Sequence, residues 1–491
     1  GLAAVLCIAL LAGCATEERK VTTTSDMAYQ CYEDGRKAVE RFRLEKAREC
    51  YRDATEHDPE FAMAWAQLAV VQRQLGEREE AGKSIRRANE VRETASEVES
   101  LWVARVHALF ERDTVAADSL WKELGEKYPE HELVLRLRAE FAKQDIDFET
   151  ARRCYDKLLE TDPDAVAVHN LNRYLYLSQG EYEQAVLSLQ RYAYYAPDQA
   201  NPHDSLGEAF LYIGRYEEAI REFRTALEID PAFHWSARNL SEALSITGQT
   251  TAAEKVLQHY RPLFEERKMI PWWDMSRSMI AFRAENWDEV IDLTDQSLER
   301  LSALGDHDKF EYELFARYAR TMALLENGKY DAAEEAVAEL ERVALRVKDF
   351  GAVANLERPK QMMAIYEAMV VARFDRAGGV PAEGIPRLEE AIATSSLSPH
   401  ELAYPVRELA LAYLEAGQPT AAAEAAQRIL DVIPTAPALN LVAAKAQAAA
   451  GNREAALGLL QTYLDVMRNA DPGHGNVAEA TALVQQLTPR S

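Results

Sequence analysis

Apolar residues along most of this chain recur three and four positions apart, which is the spacing of one face of an α-helix. The segment NPHDSLGEAFLYIGRYEEAIREFRTALEIDPAF, residues 201–233, shows the pattern most clearly. Two such stretches flank Ile213-Gly214, and Pro231 follows the second. Glycine accommodates the left-handed backbone that ends a helix, and proline cannot continue one. The segment is therefore predicted to form two helices joined by a tight turn.

This helical pair repeats along the chain, at a spacing of 34 residues through most of the first half. The second helix of each pair carries a small residue at a fixed place, and ten of the twelve are alanine: Ala47, Ala81, Ala117, Ala151, Ala185, Ala219, Ala253, Val290, Ala333, Gly384, Ala422 and Ala456. Four residues after each of these, eleven of the twelve positions are apolar. A small residue lets two helices approach closely, and the large residue one turn later fills the space beside it.

The order Leu206-Gly207, Ala219, Phe223 and Pro231 resembles the tetratricopeptide repeat (TPR) family. The resemblance implies an all-α protein, an α-solenoid of about twelve TPR-like helix-turn-helix repeats that form a right-handed superhelix. One hairpin cannot bury its own apolar face, so stacked neighbours share a continuous core. The first helix of each repeat is then expected to line a concave groove.

Changes in the repeat spacing divide the chain into segments, with a soft boundary near residue 268. We expect a regular TPR array of about seven repeats over 28–267, irregular repeats over 268–402, two regular repeats over 403–470, and a capping helix with a tail over 471–491. Insertions in a solenoid usually map to loops. Loops are therefore predicted within 265–273, 303–310, 348–360 and 376–386. The adjacent Trp272-Trp273 lie either on such a loop or in the first turn of a helix.

The chain opens with GLAAVLCIALLAGCATEERK, whose eleven apolar residues end at Ala12. A membrane-spanning helix needs about 20 apolar residues, so the run fits the core of a signal peptide. Leu11-Ala12-Gly13-Cys14 resembles the lipobox of bacterial lipoproteins. The resemblance implies a signal peptide over 1–13, truncated at its start, lipid on Cys14, and a polar tether over 14–27. An ordinary secretory signal and a buried N-terminal helix are the alternatives.

Lipoprotein sorting adds an expected location. The residue after Cys14 is Ala15 and not aspartate. By resemblance to lipoprotein sorting in two-membrane bacteria, this favours the outer membrane. By resemblance, we expect a protein anchored by lipid in the bacterial cell envelope, at the outer membrane facing the periplasm.

The formal net charge of −25 argues against nucleic acid as a partner, because phosphate binding needs a basic surface. The motifs HExxH, GxSxG and CxxC and glycine-rich phosphate loops are absent from the sequence. We therefore expect no enzyme activity, no cofactor and no metal site. His169 and His203 occupy equivalent places in adjacent repeats, either as core-edge side chains or as metal ligands. Cys31 and Cys50 are either small core residues or the two partners of a disulfide.

Partner binding is expected on the first helices of the repeats, at the positions that face the groove in the TPR family. Aromatic and arginine side chains, which protein interfaces favour, occupy many of these positions. The predicted partner-binding residues are Tyr29, Tyr32, Arg36, Trp102, Phe110, Arg136, Asn170, Tyr174, Tyr212, Trp235 and Arg238. Consecutive repeats do not reproduce the Lys/Asn/Arg clamp with which chaperone-binding TPR domains hold a terminal carboxylate.

These patterns lead to two hypotheses of function. The first is a non-catalytic, membrane-anchored TPR lipoprotein, a scaffold that binds a protein or peptide partner in its groove. The alternative is a ligand- or glycan-binding uptake lipoprotein built on TPR helices, in which Trp102 and Trp235 stack on sugars. The sequence leaves the oligomeric state open.

Overall fold

The computed structural model describes residues 21–40, 43–144, 147–161, 166–178, 180–267, 269–301, 306–349 and 357–488. The predicted lipidation site Cys14 and the predicted signal peptide lie outside these ranges. The chain forms two compact units, 1–168 and 169–491. The soft boundary expected near residue 268 falls inside the second unit. Throughout the described ranges the regular secondary structure is helical.

The first unit consists of four helical pairs, with a short 3-10 turn at Arg92–Thr94. Helix α9 crosses the division between the units. The helices are α1 (Asp26–Glu40), α2 (Leu44–His57), α3 (Ala62–Gln74), α4 (Arg78–Val91), α5 (Glu97–Phe110), α6 (Thr114–Lys127), α7 (Glu132–Gln144), α8 (Phe148–Thr161) and α9 (Val166–Ser178).

The second unit continues the same alternation of helices and closes with a single helix after the last pair. Its helices are α10 (Tyr182–Tyr195), α11 (Ala200–Tyr212), α12 (Tyr216–Ile229), α13 (His234–Ile246), α14 (Thr250–Glu266), α15 (Ile270–Arg283), α16 (Trp287–Leu301), α17 (Asp306–Glu326), α18 (Tyr330–Asp349), α19 (Glu357–Ala377), α20 (Ile385–Thr394), α21 (Pro399–Glu415), α22 (Pro419–Leu430), α23 (Pro437–Ala449), α24 (Arg453–Val466) and α25 (Gly475–Leu487).

The pairing of α11 with α12 shows how the repeat residues build a hairpin. Ala219 and Phe223 are fully buried, one turn apart on α12. A Cβ atom on Gly207 of α11 would lie 2.6 Å from the ring of Phe223. The glycine therefore leaves the space that the aromatic ring occupies. Gly35 and Tyr51 repeat this arrangement in the first unit, where the distance is 2.7 Å.

Turns between paired helices follow the sequence prediction. Gly214 has φ of 77° and Gly451 has φ of 84°, in the left-handed region that side chains rarely adopt. Arg112 and Glu285 occupy the corresponding turns of two other repeats with φ of 61° and 56°. Both are non-glycine residues in this region, and Glu285 has a second role in the site described below.

The irregular segment differs from the sequence prediction, because most of its extra residues lengthen helices. The connection predicted within 265–273 is short, since α14 continues to Glu266 and α15 begins at Ile270. The loops predicted within 303–310 and 348–360 fall partly outside the described residues. Helices α17, α18 and α19 contain 21, 20 and 21 residues, against 13 or 14 in most regular repeats. The turn predicted within 376–386 is present between α19 and α20. A change of spacing alone cannot distinguish a longer helix from a longer loop.

Both tryptophans at 272–273 lie in the first turn of α15, which is the helical alternative from the sequence. Trp273 is 3% exposed, and its indole N–H donates to the carbonyl oxygen of Leu257 at 3.0 Å. Among the described helices, none combines the length and the apolar character that crossing a bilayer requires.

Candidate binding cavity and aromatic surface

The second unit contains a cavity with a volume of about 410 Å³. Most of its wall comes from the first helices of successive hairpins: α13, α15, α17, α19, α21 and α23. Ligand-binding pockets usually have volumes of roughly 300–1,000 Å³. The cavity is therefore large enough for a small molecule.

Hydrogen bonds join distant parts of the second unit. The Thr435 hydroxyl donates to the carbonyl oxygen of Gly214 at 2.7 Å. The Asp471 N–H donates to the carbonyl oxygen of Gly248 at 2.9 Å, and the Asp471 carboxylate accepts from the Thr251 N–H at 2.7 Å. The first N–H groups of a helix have no partner within it. Asp471 thus caps α14 from 220 residues away.

One end of the cavity carries a cluster of charged side chains. Arg283 donates to Glu242 and to the Ser245 hydroxyl, both at 2.8 Å, and Arg238 lies 3.9 Å from Glu242. Burial by itself raises the pKa of the Glu242 carboxyl, but Arg283, Arg238 and His400 outweigh it and hold the pKa at about 2. Glu242 is therefore ionised at neutral pH.

His400 stands at the same end of the cavity, on α21. Its ring lies 5.1 Å from the ring of Tyr212, centroid to centroid. Burial lowers the pKa of His400, and nearby Arg283 adds to the effect, whereas Glu242 opposes it. The imidazole is therefore neutral at pH 7 and supplies one donor and one acceptor.

Apolar and aromatic side chains form a large part of the wall. Tyr318 and Tyr366 stack with ring centroids 4.0 Å apart and an angle of 9° between their planes. Four methionines from α15 and α19 also line the cavity: Met275, Met279, Met362 and Met369. Methionine is flexible and polarizable, so such a wall can adapt to ligands of different shapes.

A buried ion network forms another part of the cavity wall, which Glu285, Arg407 and Asn476 line. The carboxylate of Glu408, 3% exposed, accepts from Arg376 at 2.8 Å and from Arg407 at 2.7 Å. Arg407 also lies 3.2 Å from Glu285, which accepts from the amide of Asn476 at 3.3 Å. These contacts give Glu285 a role at a turn where other repeats have glycine. The glutamate at that place is the sequence signal that could have revealed this contact.

An aromatic surface lies next to the cavity, on α13, α15 and α17. Trp272 is the centre of this surface, with ring centroids 5.9 Å from Trp235 and 5.2 Å from Tyr312. The guanidinium carbon of Arg238 lies 4.8 Å from the centre of the Trp272 ring. All four side chains are half-buried. The surface combines the aromatic and arginine anchors that protein interfaces favour.

Three of the predicted partner-binding residues lie at the aromatic surface or beside the cavity, and the others lie elsewhere in the chain. Trp235 and Arg238 belong to the aromatic surface, and Tyr212 lies beside His400. In the first unit, Tyr32 and Trp102 are core side chains, 5% and 8% exposed. The half-buried predicted residues of that unit are Tyr29, Arg36, Phe110 and Arg136. The side chains of Asn170 and Tyr174 are not among those that the structure describes.

Tyr32 packs 5.1 Å from Phe61 and 5.5 Å from Tyr51, ring centre to ring centre, so its place in the first unit is between helices. Arg73 stacks on Phe110 with its guanidinium carbon 4.4 Å from the ring centre. Arg136 pairs with Glu132 at 2.8 Å. These residues are not gathered in one cluster comparable to the aromatic surface of the second unit.

Sequence reasoning missed Arg283, His400 and Arg407. They follow the irregular spacing after residue 268, where groove positions cannot be assigned from a 34-residue register. Arg283 contacts the preceding hairpin, whereas His400 meets Tyr212 and Arg407 meets Glu285 across many repeats, and such distant contacts leave no local signal in the sequence.

The two histidines that the sequence offered as metal ligands contact other side chains. His203 Nδ1 lies 2.7 Å from Glu222, and His169 stacks against Tyr195. Within the described ranges, no group of three or more His, Cys, Asp and Glu is placed to hold a metal ion. Cys31, Cys50 and Cys154 are free thiols, and burial raises the pKa of each.

Comparison with known families identifies the repeats. A tetratricopeptide repeat profile matches residues 200–233, and a second one matches 32–93, 138–204 and 407–474. The matched segments are tetratricopeptide repeats. TPR hairpins therefore occur in both units, and the last TPR match ends at the residue before α25.

The human protein O-mannosyl-transferase TMTC1 is 32% identical over 134 residues, which are 27% of this chain and 15% of that protein. The chain thus spans a small part of that relative. Similar solved structures include the Cut9–Hcn1 hetero-tetramer of the APC/C, which is 12% identical in sequence. The match covers 94% of this chain and 97% of that chain, and its TM-score is 0.35. Yeast Tom70 also has 12% identity, with 94% and 95% covered and a TM-score of 0.39.

Proposed function

We propose that this chain is a non-catalytic TPR scaffold that binds a protein partner at the bacterial cell envelope. TPR repeats generally bind proteins or peptides, which supports the partner class. The observation that carries the proposal is the aromatic surface formed by Trp235, Arg238, Trp272 and Tyr312. Half-buried tryptophan and arginine side chains held by rigid helices are typical anchors of an interface.

The anchor is the second part of the proposal. Lipid on Cys14 would hold the scaffold at the outer membrane, facing the periplasm, through the polar residues between Cys14 and the start of α1 at Asp26. Support comes from the order of apolar run, small residues and cysteine in the first fourteen residues. The acidic charge of the chain favours a partner with a basic surface.

Glycan binding has less support in the structure. Trp102, one of the two tryptophans proposed to stack on sugars, is 8% exposed and packs in the core of the first unit. Trp235 already has Trp272 and His234 against its ring. The protein-binding function therefore remains the better supported of the two hypotheses.

Photo-crosslinking in native envelopes tests partner binding. A crosslinking amino acid in place of Trp235 is expected to capture a specific protein, because this position lies in the aromatic surface. The same amino acid in place of Trp287 is the control, since Trp287 belongs to α16 and packs against Phe282. Once the partner is identified, Trp272→Ala should weaken its binding by about 2 kcal/mol or more, as expected of an interface hot spot.

Equal capture from both positions would argue against the proposed surface. Trp287→Ala should leave affinity for the identified partner unchanged, and circular dichroism of both variants shows that the helices are retained. If Trp272→Ala also leaves the affinity unchanged, the aromatic surface is not the binding site.

Metabolic labelling with a radioactive fatty acid tests the anchor. The unaltered chain, expressed behind a lipoprotein signal, is expected to incorporate label and to sediment with membranes. Cys14→Ser should lose both, because the thiol that carries the lipid is gone, whereas Cys31→Ser should lose neither. Label that persists in Cys14→Ser would show that the lipid, if any, is elsewhere.

A further inference from the structure

The charged end of the cavity has unused hydrogen-bonding capacity. Arg238 lies 3.9 Å from Glu242 and donates to the Asn239 amide oxygen at 3.5 Å, the long limit of a hydrogen bond. A guanidinium group carries five N–H donors. Arg283, in contrast, makes two contacts of 2.8 Å, to Glu242 and to Ser245. Arg238 is therefore the weakly paired arginine of the two.

Two guanidinium groups share one carboxylate at this end, because Glu242 is the partner of both Arg238 and Arg283. Glu401, the other carboxylate at this end, accepts from the N–H and hydroxyl of Ser398 at the start of α21. The positive end of that helix compensates much of its charge. His400 stays neutral at pH 7, since burial lowers its pKa. The cluster thus favours one additional anionic group.

Water and small solutes reach this cluster. The side chains of Arg238, Glu242 and Arg283 keep 24%, 24% and 19% of their surface exposed. Trp272 holds the Arg238 guanidinium from one side, which limits its freedom to turn away. An anion that binds here would meet a donor already in place.

Arg407 and Lys445 also line the cavity, but each already forms a close ion pair. Another part of the wall suits an apolar body. Met275 and Met279 of α15 and Met362 of α19 line it together with Phe315 and Tyr366. Burial of apolar ligand surface against such a wall favours binding. The combination of one loosely paired cation and a flexible apolar wall is what an amphipathic acid requires.

We propose that this cavity binds a small organic acid with an apolar body. Its carboxylate is received by the Arg238 guanidinium, and its body lies against the methionine and aromatic side chains of α15, α17 and α19. This ligand site shares Arg238 with the aromatic surface proposed for the protein partner, and its other lining side chains are different ones.

Titration calorimetry of the full chain tests the site with three probes of equal chain length: decanoate, decanol and decylamine. Decanoate is expected to bind about tenfold more tightly than decylamine, because only the anion forms a charge-assisted bond with Arg238. The affinity for decanol should lie between those for decanoate and decylamine. Binding of decanoate no tighter than decylamine, or no binding of decanoate at all, would overturn the proposal.

Two substitutions should change the affinity for decanoate in opposite directions. Arg238→Met removes the donor but keeps the length of the side chain, so decanoate should bind about tenfold more weakly, whereas decanol should bind as before. Glu242→Gln removes the competing carboxylate, so decanoate should bind more tightly. A misfolded variant cannot produce that gain.

Arg261→Met is the matched control. Arg261 also stacks on a tryptophan, with its guanidinium carbon 5.1 Å from the Trp273 ring centre, but its side chain is 51% exposed and pairs with Glu265. It does not line the cavity, so decanoate should bind this variant normally. Loss of affinity in Arg261→Met equal to that in Arg238→Met would place the effect outside the cavity. Failure to find a protein partner would leave these results unaffected.

Discussion

Glu408→Gln is expected to lower the free energy of unfolding of the second unit by about 3–5 kcal/mol. The Glu408 carboxylate is 3% exposed and accepts from both Arg376 and Arg407. Arg376 is itself 5% exposed, so it cannot recover its hydration when its partner becomes neutral. The cost comes mainly from the buried charge of Arg376, which then keeps the more exposed Glu415 as its partner.

Denaturant unfolding followed by circular dichroism measures this effect, with Glu415→Gln as the control. Glu415 also pairs with Arg376, but its side chain is 45% exposed. Exposed ion pairs contribute about 0–1 kcal/mol, so this variant should remain close to the original chain. Equal losses for both variants would mean that burial does not determine the strength of this network.

Phe223→Ala is expected to cost about 3–5 kcal/mol, because the ring is fully buried between α11 and α12 and its loss leaves a cavity. Gly207→Ala should cost about 1–3 kcal/mol, because the new Cβ atom would lie 2.6 Å from the same ring. Combined with Phe223→Ala, however, Gly207→Ala should stabilise the chain by about 1 kcal/mol, because alanine is the better helix former.

This reversal of sign is measured by a double-mutant cycle in denaturant. Gly458→Ala is the control, because Gly458 lies on α24 with nothing within 4 Å of the place of its Cβ atom. That substitution should stabilise the chain by about 1 kcal/mol in any background. If the effects of Gly207→Ala and Phe223→Ala simply add, the glycine is not there to make room for the ring.

The closure of the second unit explains why its inner face differs from an open groove. Small rotations between successive hairpins accumulate along a solenoid. In this unit they bring the turn at Gly248 to Asp471, and the turn at Gly214 to Thr435. A Cβ atom on Gly214 would lie 2.1 Å from the Thr435 hydroxyl oxygen, so the approach uses the small size of the turn glycine.

The sequence by itself determined the hairpins of this protein. Alanine, an aromatic or aliphatic residue four positions later, and a glycine turn act within about 34 residues, so a local pattern is enough to specify them. The pairing of Gly207 with Phe223 and the turn at Gly214 follow from such local rules. The TPR fold was therefore predictable, and so were the places of Trp235 and Arg238 on a first helix.

Only the tertiary structure decided which side chains meet. Spacing beyond residue 268 could not show that α17, α18 and α19 are long helices, because a longer helix and a longer loop change the register equally. The cavity brings His400 to Arg238 and Arg283, which lie on adjacent hairpins, and the approach of His400 depends on curvature accumulated over many repeats. Curvature is a property of the stack, and no single repeat encodes it.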